Sequence, residues 1–320
     1  MPTRKSPRKG SLQFWPRKRA RKSLPRVNWD AISNESKAKG LRGFIGYKVC
    51  MMTAEVKDKT PNSLTKDKTI IIPVTVLECP VIKIFSVRFY KNGKVAKEVV
   101  AENLEKDLKR KVKIPKIPKK IDSIKIEDYD NVKVIAYSVV KKTDLKKTPD
   151  LSEIDIVGGD VETKMIWVKD NLNKEISIAN IFEKGQLVDV RGLTKGQGFS
   201  GPVKRFGIGL KSHKSEKGRR NPGSLGPWHP ARVTFRAPQA GQLGMFTRVI
   251  YNNLLVDFGK ISDDNKNKFK NIKNYGEIKS EFVIIRGSVQ GPSKRQLLLT
   301  APLRETKKQL KKSFELVEVR

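Results

Sequence analysis

Cysteine and histidine are scarce in this sequence, with two of each among 320 residues. Two thiols cannot form a disulfide framework, so we expect a reducing, cytoplasmic environment. No C-x-x-C or H-x-x-x-H spacing joins Cys50, Cys79, His213 and His229, so no metal site is predicted. Each cysteine lies in an apolar run, which is typical of a buried structural thiol.

Long hydrophobic runs are also missing. No segment approaches the roughly 18 apolar residues that a membrane-spanning helix needs, so no membrane-spanning helix is predicted. The N-terminus is basic but has no apolar core of the kind found in secretory signals. Pro2, Pro7, Pro16 and Pro25 interrupt the amphipathic helix that a mitochondrial address requires.

Acidic residues are too few to balance the basic ones: 68 Lys and Arg stand against 33 Asp and Glu, a net charge of +35. The excess lies in two segments. Residues 1–26 contain ten Lys or Arg and no acid, and residues 191–256 contain twelve with Glu216 as the one acid. Residues 81–190, by contrast, hold 23 basic and 18 acidic residues. This distribution predicts a polyanionic partner, with nucleic acid, an anionic membrane surface and acidic proteins as the candidates.

The segment 191–256 lacks the apolar residues that it would need to fold by itself. Eleven of the 23 glycines lie between Gly192 and Gly244, and the middle of the segment has no apolar run that fits a helix or a buried strand. Ordering each residue costs roughly 1–2 kcal/mol of backbone entropy. We therefore interpret 200–245 as a long extended loop that folds only within structured nucleic acid, with a solvated, mobile basic loop as the alternative.

Aromatic side chains are interleaved with these cations, and aromatic rings stack on unpaired bases. Residues 1–40 are interpreted as an extended basic arm, in which Trp15 is the stronger candidate for RNA contact. Trp29 fits RNA stacking or docking on a globular body equally well. Trp228, within the sequence GPWHP, lies on a stiff turn at the loop tip and is predicted to rest on bases, with protein as the alternative.

The sequence has no pattern typical of an enzyme. Residues 196–201 match G-x-G-x-x-G, but a dinucleotide fold needs a helix directly after the glycines, and the following Pro202 segment is expected not to form one. Residues 257–259 mimic the kinase Asp-Phe-Gly triplet without the accompanying kinase motifs. The basic loop shows no nucleophile and base together, so we predict no catalytic residues, no cofactor and no small-molecule substrate.

Alternating and β-branched runs predict a mainly β body. Its strands are predicted over 41–54, 70–78, 186–192, 246–259, 281–289 and 295–302. Pro73 indicates that the second of these is an edge strand or contains a bulge. We expect an antiparallel barrel or sandwich formed by residues 41–79 and 181–320.

Residues 80–180 are predicted to be an inserted α+β lobe. Strands are expected over 81–90 and 132–140, and the Asn-Gly pair at 92–93 is a hairpin turn signal. A helix is predicted over 97–111 because its apolar residues recur at helical spacing.

Six stretches of the sequence point to one family. They are GFIGYKVCMM (43–52), IPVTVLE (72–78), FEKGQLVDVRGLTKGQGFSGPVKRFG (182–207), GPWHPARV (226–233), AGQLGMFTRV (240–249) and IIRGSVQGP (284–292). In these stretches the chain resembles the universal large-subunit ribosomal protein L-three family, in its archaeal and eukaryotic form and closest to the archaeal type. The stretch 188–201 is the most specific of these matches.

The resemblance implies a translation-factor-like antiparallel β-barrel with an inserted α+β lobe. It implies binding to large-subunit (23S-type) rRNA near its 3′ end, beside neighbouring large-subunit proteins, in single copy per ribosome, and an early role in subunit assembly. It also implies that the long loop reaches toward the peptidyl-transferase centre, with Trp228 matching the family's finger-tip tryptophan near the path of aminoacyl-tRNA.

The predicted RNA-binding residues are cations of the arm and loop, together with two tryptophans and both histidines. They are Arg4, Lys5, Arg8, Lys9, Trp15, Arg17, Lys18, Arg19, Arg21, Lys22, Lys195, Lys204, Arg205, Lys211, His213, Lys214, Lys217, Arg219, Arg220, Trp228, His229, Arg232, Arg236 and Arg248.

Two other functions are the alternatives. An RNA-modifying or RNA-cleaving enzyme would need a cofactor site or an acid–base constellation, and the sequence shows neither. A DNA-compacting chromatin protein usually presents its charge on a compact face or a tail rather than on a glycine-rich internal loop. We therefore predict a structural rRNA-binding protein of the large ribosomal subunit, with no catalysis of its own.

Overall fold

The computed structural model describes residues 10–32, 38–118, 121, 124, 128–261 and 269–320. Within these ranges the chain is mainly β. It clusters into two compact units, described separately below. The smaller unit comprises Met1–Ser23, described from Gly10, and Leu193–Arg248; the larger comprises Leu24–Gly192 and Val249–Arg320.

Thirteen strands and three short α-helices form the regular structure of the described residues. In chain order they are β1 (Gly43–Asp58), β2 (Thr69–Cys79), β3 (Ile82–Lys91), β4 (Lys94–Val100), β5 (Asn131–Ser138), β6 (Leu151–Asp155), α1 (Val161–Asn171), β7 (Leu187–Leu193), β8 (Gly196–Ser200), α2 (Pro202–Phe206), β9 (Gly241–Gly244), β10 (Thr247–Gly259), β11 (Glu281–Arg286), β12 (Gln296–Thr300), α3 (Lys307–Leu310) and β13 (Phe314–Val319). None of the helices in this part of the chain is long and apolar enough to span a membrane.

The larger unit is organised around a seven-stranded sheet. Its strand order is β12-β7-β10-β11-β2-β1-β13, and β12 pairs in addition with β1, so the pairings of six strands return to their starting point. β1 is antiparallel to both β12 and β2, with Phe44 opposite Leu299 and Met52 opposite Val74. The six strands predicted for the body from alternating patterns are all confirmed, with ends shifted by a few residues.

The sequence predicts an edge strand or a bulge at Pro73, and this prediction is wrong. β2 lies between β1 and β11, and the register of the pairing with β1 is continuous at Pro73. The ladder with β11 ends at the pair Arg286–Val74, so Pro73 stands opposite Gly287 just beyond its last pair. The Pro73 carbonyl accepts from Gly287 N at 2.8 Å, and the Gly287 carbonyl, which a proline cannot bond, accepts from the Thr75 hydroxyl at 2.7 Å.

A second sheet of four strands has the order β4-β3-β5-β6 and contains both strands predicted for the inserted lobe. The Asn-Gly turn is confirmed, since Asn92 and Gly93 both have positive φ, at 51° and 69°. The helix predicted over 97–111 is wrong. Because the turn sets β4 antiparallel to β3 through Val100, ladder bonds replace helical ones, and only a short 3-10 helix, Lys106–Arg110, follows.

The largest apolar core contains residues from both sheets of the larger unit. Phe44 and Val190 of the seven-stranded sheet belong to the same buried cluster as Phe89 and Met165. Trp29 is also part of this cluster and is only 2% exposed. Of the two roles open to Trp29, the structure therefore shows docking on the body. A fully buried side chain of this kind contributes on the order of 1.5–3 kcal/mol.

Candidate nucleic-acid interface

The smaller unit concentrates positive charge. Its described residues contain five Lys or Arg in 10–23 and eleven in 193–248, against Glu216 as the one acid. Glu216 is exposed and has no ion pair or hydrogen-bond partner for its side chain within the described chain. Within the described residues of this unit one acid therefore stands against sixteen cations, and this excess of positive charge favours an external polyanion.

A two-stranded hairpin closes the base of the loop. β8 and β9 pair antiparallel, with Gly196 opposite Gly244 and Ser200 opposite Gly241. Gly244 has φ of +78°, and a β-carbon there would lie 2.0 Å from the Lys195 carbonyl oxygen. Only glycine permits so close an approach of the two backbones at this conformation. The chain therefore leaves the hairpin at Ser200 and re-enters it at Gly241, next to its point of departure.

A single helical turn follows the glycine-rich sequence 196–201. α2 has Pro202 at its first position, where a proline N–H would be unpaired in any case, and it ends at Gly207 with φ of 65°. This short turn is not the long helix that a dinucleotide fold requires after its glycines. The helix has only five residues, because Gly207 terminates it in the left-handed conformation, and Gly196–Ser200 is a strand rather than a phosphate-binding loop.

The arm packs on this helical turn. The Arg17 guanidinium carbon lies 4.2 Å from the centroid of the Phe206 ring, and Arg205 lies over the same ring at 5.3 Å. Arg17 donates to the Arg205 carbonyl at 2.9 Å. Arg205 donates to the carbonyls of Gln239 and Gln242, each at 3.0 Å. Burial lowers the pKa of Arg205. Arg17 and Arg205, both predicted to bind RNA, thus also stabilise the smaller unit through hydrogen bonds to its backbone carbonyls.

Further aromatic contacts join the arm to the loop. The rings of Trp15 and Phe235 lie 5.3 Å apart, measured between centroids. The Arg248 guanidinium lies 4.1 Å from the centroid of the Phe14 ring. The backbone contributes one bond, from Ala20 N to the Met245 carbonyl at 3.0 Å. The arm from Phe14 to Ala20 is therefore held against both ends of the loop within this unit.

The loop between α2 and β9 contains no further strand or helix in the described chain. Trp228 lies in this stretch and is 86% exposed, so its indole does not pack on protein in the isolated chain. A cavity of about 300 Å³ lies beside it, bordered by Leu225, Arg232 and Val233. An exposed indole next to a concave, arginine-lined surface is suited to stacking on an unpaired base.

The predicted RNA-binding residues divide into three groups. Four lie outside the described residues: Arg4, Lys5, Arg8 and Lys9. Half-buried members are Trp15, Arg17, Arg205, Lys211 and Arg248. Exposed members are Lys18, Arg19, Arg21, Lys22, Lys195, Lys204, His213, Lys214, Lys217, Arg219, Arg220, Trp228, His229, Arg232 and Arg236. The structure brings the described arm and loop members into one unit.

The comparisons with known proteins agree with this geometry. The sequence model of the family described as ribosomal protein L3 matches residues 1–319. The chain belongs to the ribosomal protein L3 family. Its relatives include proteins named large ribosomal subunit protein uL3 from three archaea. The Methanocaldococcus jannaschii protein is 37% identical over 314 residues, which cover 93% of this chain and 91% of that protein. The Methanothrix harundinacea protein is 38% identical, with 97% and 96% covered, and the Picrophilus torridus protein is 36% identical, with 94% and 92% covered.

Membership of the L3 family decides between the alternatives left by the sequence. The L3 family consists of structural ribosomal proteins rather than enzymes, so the chain has a structural role in the ribosome. In the part of the chain that the structure describes, no group of three or more His, Cys, Asp and Glu residues could hold a metal ion. Burial raises the pKa of the Cys79 thiol well above its ordinary value, as for an inert structural cysteine.

The RNA-binding residues predicted from the sequence include none of the phenylalanines of the smaller unit. Phe14, Phe206, Phe235 and Phe246 each contact an arginine guanidinium of the same unit at 4.1–5.8 Å. A signal was present, because each of the four stands within three positions of an arginine along the chain. Aromatic–arginine pairs of this kind fix the cations in place and expose flat surfaces at the same time.

Proposed function

We propose that this protein is a structural constituent of the large ribosomal subunit that binds large-subunit (23S-type) rRNA near its 3′ end. It supports early assembly of the subunit and extends residues 200–245 toward the peptidyl-transferase centre. One observation above all supports the proposal: the described residues of the smaller unit contain sixteen Lys and Arg, several exposed aromatic side chains and one acid. A unit of this composition binds phosphates through Lys and Arg and unpaired bases through its rings.

The remaining parts of the proposal follow from the family resemblance. The protein is cytoplasmic, is present in one copy per ribosome, contacts neighbouring large-subunit proteins and associates with neither membranes nor small-molecule substrates. Residues 41–79 and 181–320 form a translation-factor-like barrel, and 80–180 form the inserted lobe. The segment 1–40 is the basic arm, of which the part before Leu24 belongs to the smaller unit, and 200–245 is the loop that penetrates the rRNA. The cycle of strand pairings from β12 through β7, β10, β11, β2 and β1 supports the barrel.

Salt dependence of binding to an rRNA fragment tests the electrostatic part. The logarithm of the association constant should fall linearly with the logarithm of salt concentration, with a slope of about −0.7 to −0.9 for each phosphate neutralised. With many cations engaged, the loss between low and physiological salt should span several orders of magnitude. A slope near zero would contradict the assignment of these residues to phosphate contacts.

Sedimentation of a cell lysate tests the partner. The protein should migrate with large ribosomal subunits, and this co-migration should survive DNase and be abolished by RNase. Loss of co-migration on DNase treatment would favour a DNA-compacting protein. Migration as a free protein with catalytic activity on RNA would favour an RNA-modifying enzyme.

A further inference from the structure

A second concave surface of the smaller unit lies between the arm and the strand that follows the loop. It is a cavity of about 390 Å³, within the size range of sites for small ligands. Its walls include Phe14, Arg19 and Arg21 on one side and Phe246 and Arg248 on the other. It is separate from the cavity beside Trp228, and the two have no lining residue in common.

The flat surfaces of this cleft are an aromatic pair with a guanidinium between them. The Arg248 guanidinium carbon is 4.1 Å from the centroid of the Phe14 ring and 5.3 Å from that of Phe246. Burial lowers the pKa of Arg248, although an arginine remains charged at neutral pH. Phe14 is still 48% exposed, so much of its ring surface is open to a ligand. Bases stack on phenylalanine rings and on guanidinium planes alike.

Both walls are fixed by the backbone of the unit. Phe246 N donates to the Thr194 hydroxyl at 3.1 Å, and Thr194 N donates to the Phe246 carbonyl at 3.0 Å. On the arm side, Ala20 N donates to the Met245 carbonyl. These bonds lower the ordering cost of binding, because the backbone at Phe246 and at Ala20 is already held in place.

The charge around the cleft selects an anion. Five of its lining residues are Lys or Arg and none is acidic. Lys18, Arg19 and Arg21 are exposed, and within the described chain their side chains have no ion pair. A ligand with one planar ring system and a phosphate on each side satisfies both features. A carboxylate-rich peptide would satisfy the cations and leave the flat surface without a matching group.

We infer that this cleft binds one unstacked nucleotide of single-stranded RNA, with the base on Phe14 and the Arg248 guanidinium and its flanking phosphates at Lys18, Arg19 and Arg21. The inference rests on the proposed rRNA binding and names a particular contact within it. It assigns Phe14 to base stacking, in line with its place among the cations of the arm, and adds Phe246, which the sequence analysis did not single out.

The test uses the full chain, a fluorescent hexaribonucleotide and a hexamer of the same length without bases. Phe14→Leu keeps the apolar character but removes the planar ring, and the matched control is Tyr251→Leu, which replaces a ring that is 54% exposed in the larger unit. Phe14→Leu should weaken hexamer binding by about fivefold or more, the lower end of one base stack. Tyr251→Leu should change it by less than about twofold.

The baseless hexamer should bind the parent chain and Phe14→Leu equally well. A 4-thiouridine hexamer should form photo-crosslinks to peptides containing residues 14–21 or 246–248. Equal effects of the two leucine substitutions, an undiminished effect of Phe14→Leu with the baseless hexamer, or displacement of RNA by hexaglutamate at equal concentration would each overturn the inference. If the parent chain binds an rRNA fragment with the expected salt dependence in those cases, the proposed function stands and only the cleft assignment fails.

Discussion

The indole of Trp29 packs directly against Gly43. A β-carbon at Gly43 would lie 2.9 Å from Trp29 Cη2 and 3.1 Å from the carbonyl oxygen of Leu299. Gly43 is the first residue of β1, and Leu299 lies in the neighbouring strand β12. The Trp29 indole thus occupies the space that a side chain at position 43 would need. The position of Trp29 therefore depends on the pairing of β1 with β12.

We predict that Gly43→Ala destabilises the fold by about 1–3 kcal/mol, because the new methyl group must displace either the indole or the backbone of β12. Chemical denaturation measures this change. The matched control is Gly159→Ala, since a β-carbon at Gly159 meets nothing within 4 Å. The control should change the free energy of unfolding by less than about 0.5 kcal/mol. Equal effects of the two substitutions would disprove the packing explanation.

Trp228→Ala should leave the stability of the free protein unchanged, because the indole is 86% exposed. We expect near-normal subunit yield but altered tRNA accommodation or drug sensitivity at the peptidyl-transferase centre, since one base stack is worth roughly 1–3 kcal/mol within a large charged interface. The contrast is Ile284→Ala in β11, fully buried, which should cost about 2–5 kcal/mol and lower the protein level first. Unfolding of the free Trp228→Ala protein would show that the residue is a core anchor.

Asp58 gives the fold a dependence on acid. Its carboxylate accepts hydrogen bonds from Thr60, Thr65 and Ser63, and these bonds lower its pKa well below the ordinary value of 3.8. Because the pKa is lower in the folded state, the stabilisation is present above the unfolded pKa of about 4 and is lost as the pH falls through the folded pKa. Asp58→Ala should therefore cost about 1–3 kcal/mol at pH 7.

The difference in unfolding free energy between the parent and Asp58→Ala should shrink progressively below pH 4. Denaturant titrations at several pH values measure this. Asp128→Ala, which removes an exposed carboxylate with no hydrogen-bond partner in the described chain, is the control and should have little effect at any pH. A difference that stays constant down to pH 2 would show that ionisation of Asp58 does not contribute.

Gly244→Ala should open the hairpin at the base of the loop. Its φ is +78°, and the added methyl group would lie 2.0 Å from the Lys195 carbonyl oxygen, which accepts a hydrogen bond from Met245 N. We expect a loss of roughly 1–3 kcal/mol, visible as faster hydrogen exchange at the amides of Met245 and Phe199. Gly209→Ala, where a β-carbon meets nothing within 4 Å, should leave this exchange unchanged.

The sequence was informative where apolar and β-branched residues form a short run. β10 and β11 are predicted from such runs, and each contains at least four consecutive buried residues, as a strand covered on both faces does. The prediction of a helix over 97–111 was wrong because the spacing of apolar residues carries no information about β3, whose backbone supplies the competing hydrogen bonds. Pro73 misled in a similar way, since the end of the β11 ladder is decided by a segment more than 200 residues away.

The site was predictable in composition but not in geometry. Charge counts located the arm and the loop, and the exposed Trp228 stands where the turn residues indicated. Residue counts do not show that Arg17 and Arg205 donate to backbone carbonyls of their own unit. They also do not show that Arg248 contacts the rings of Phe14 and Phe246. Arg17 and Arg205 are 188 positions apart, and Phe14 and Arg248 are 234 apart, so the sequence pattern alone does not specify these contacts.

The hairpin formed by β8 and β9 has an evolutionary consequence. Because Ser200 stands opposite Gly241, the chain departs and returns at adjacent points, and the intervening stretch is held at its two ends by this pair and along its course by the contact of Phe235 with Trp15. Residues can be inserted or deleted between Gly207 and Gln239 without shifting the hydrogen-bond register of the hairpin. Lineages are therefore free to lengthen or shorten this stretch as their RNA changes, while the sequence of the hairpin itself remains constrained by the close backbone contact at Gly244.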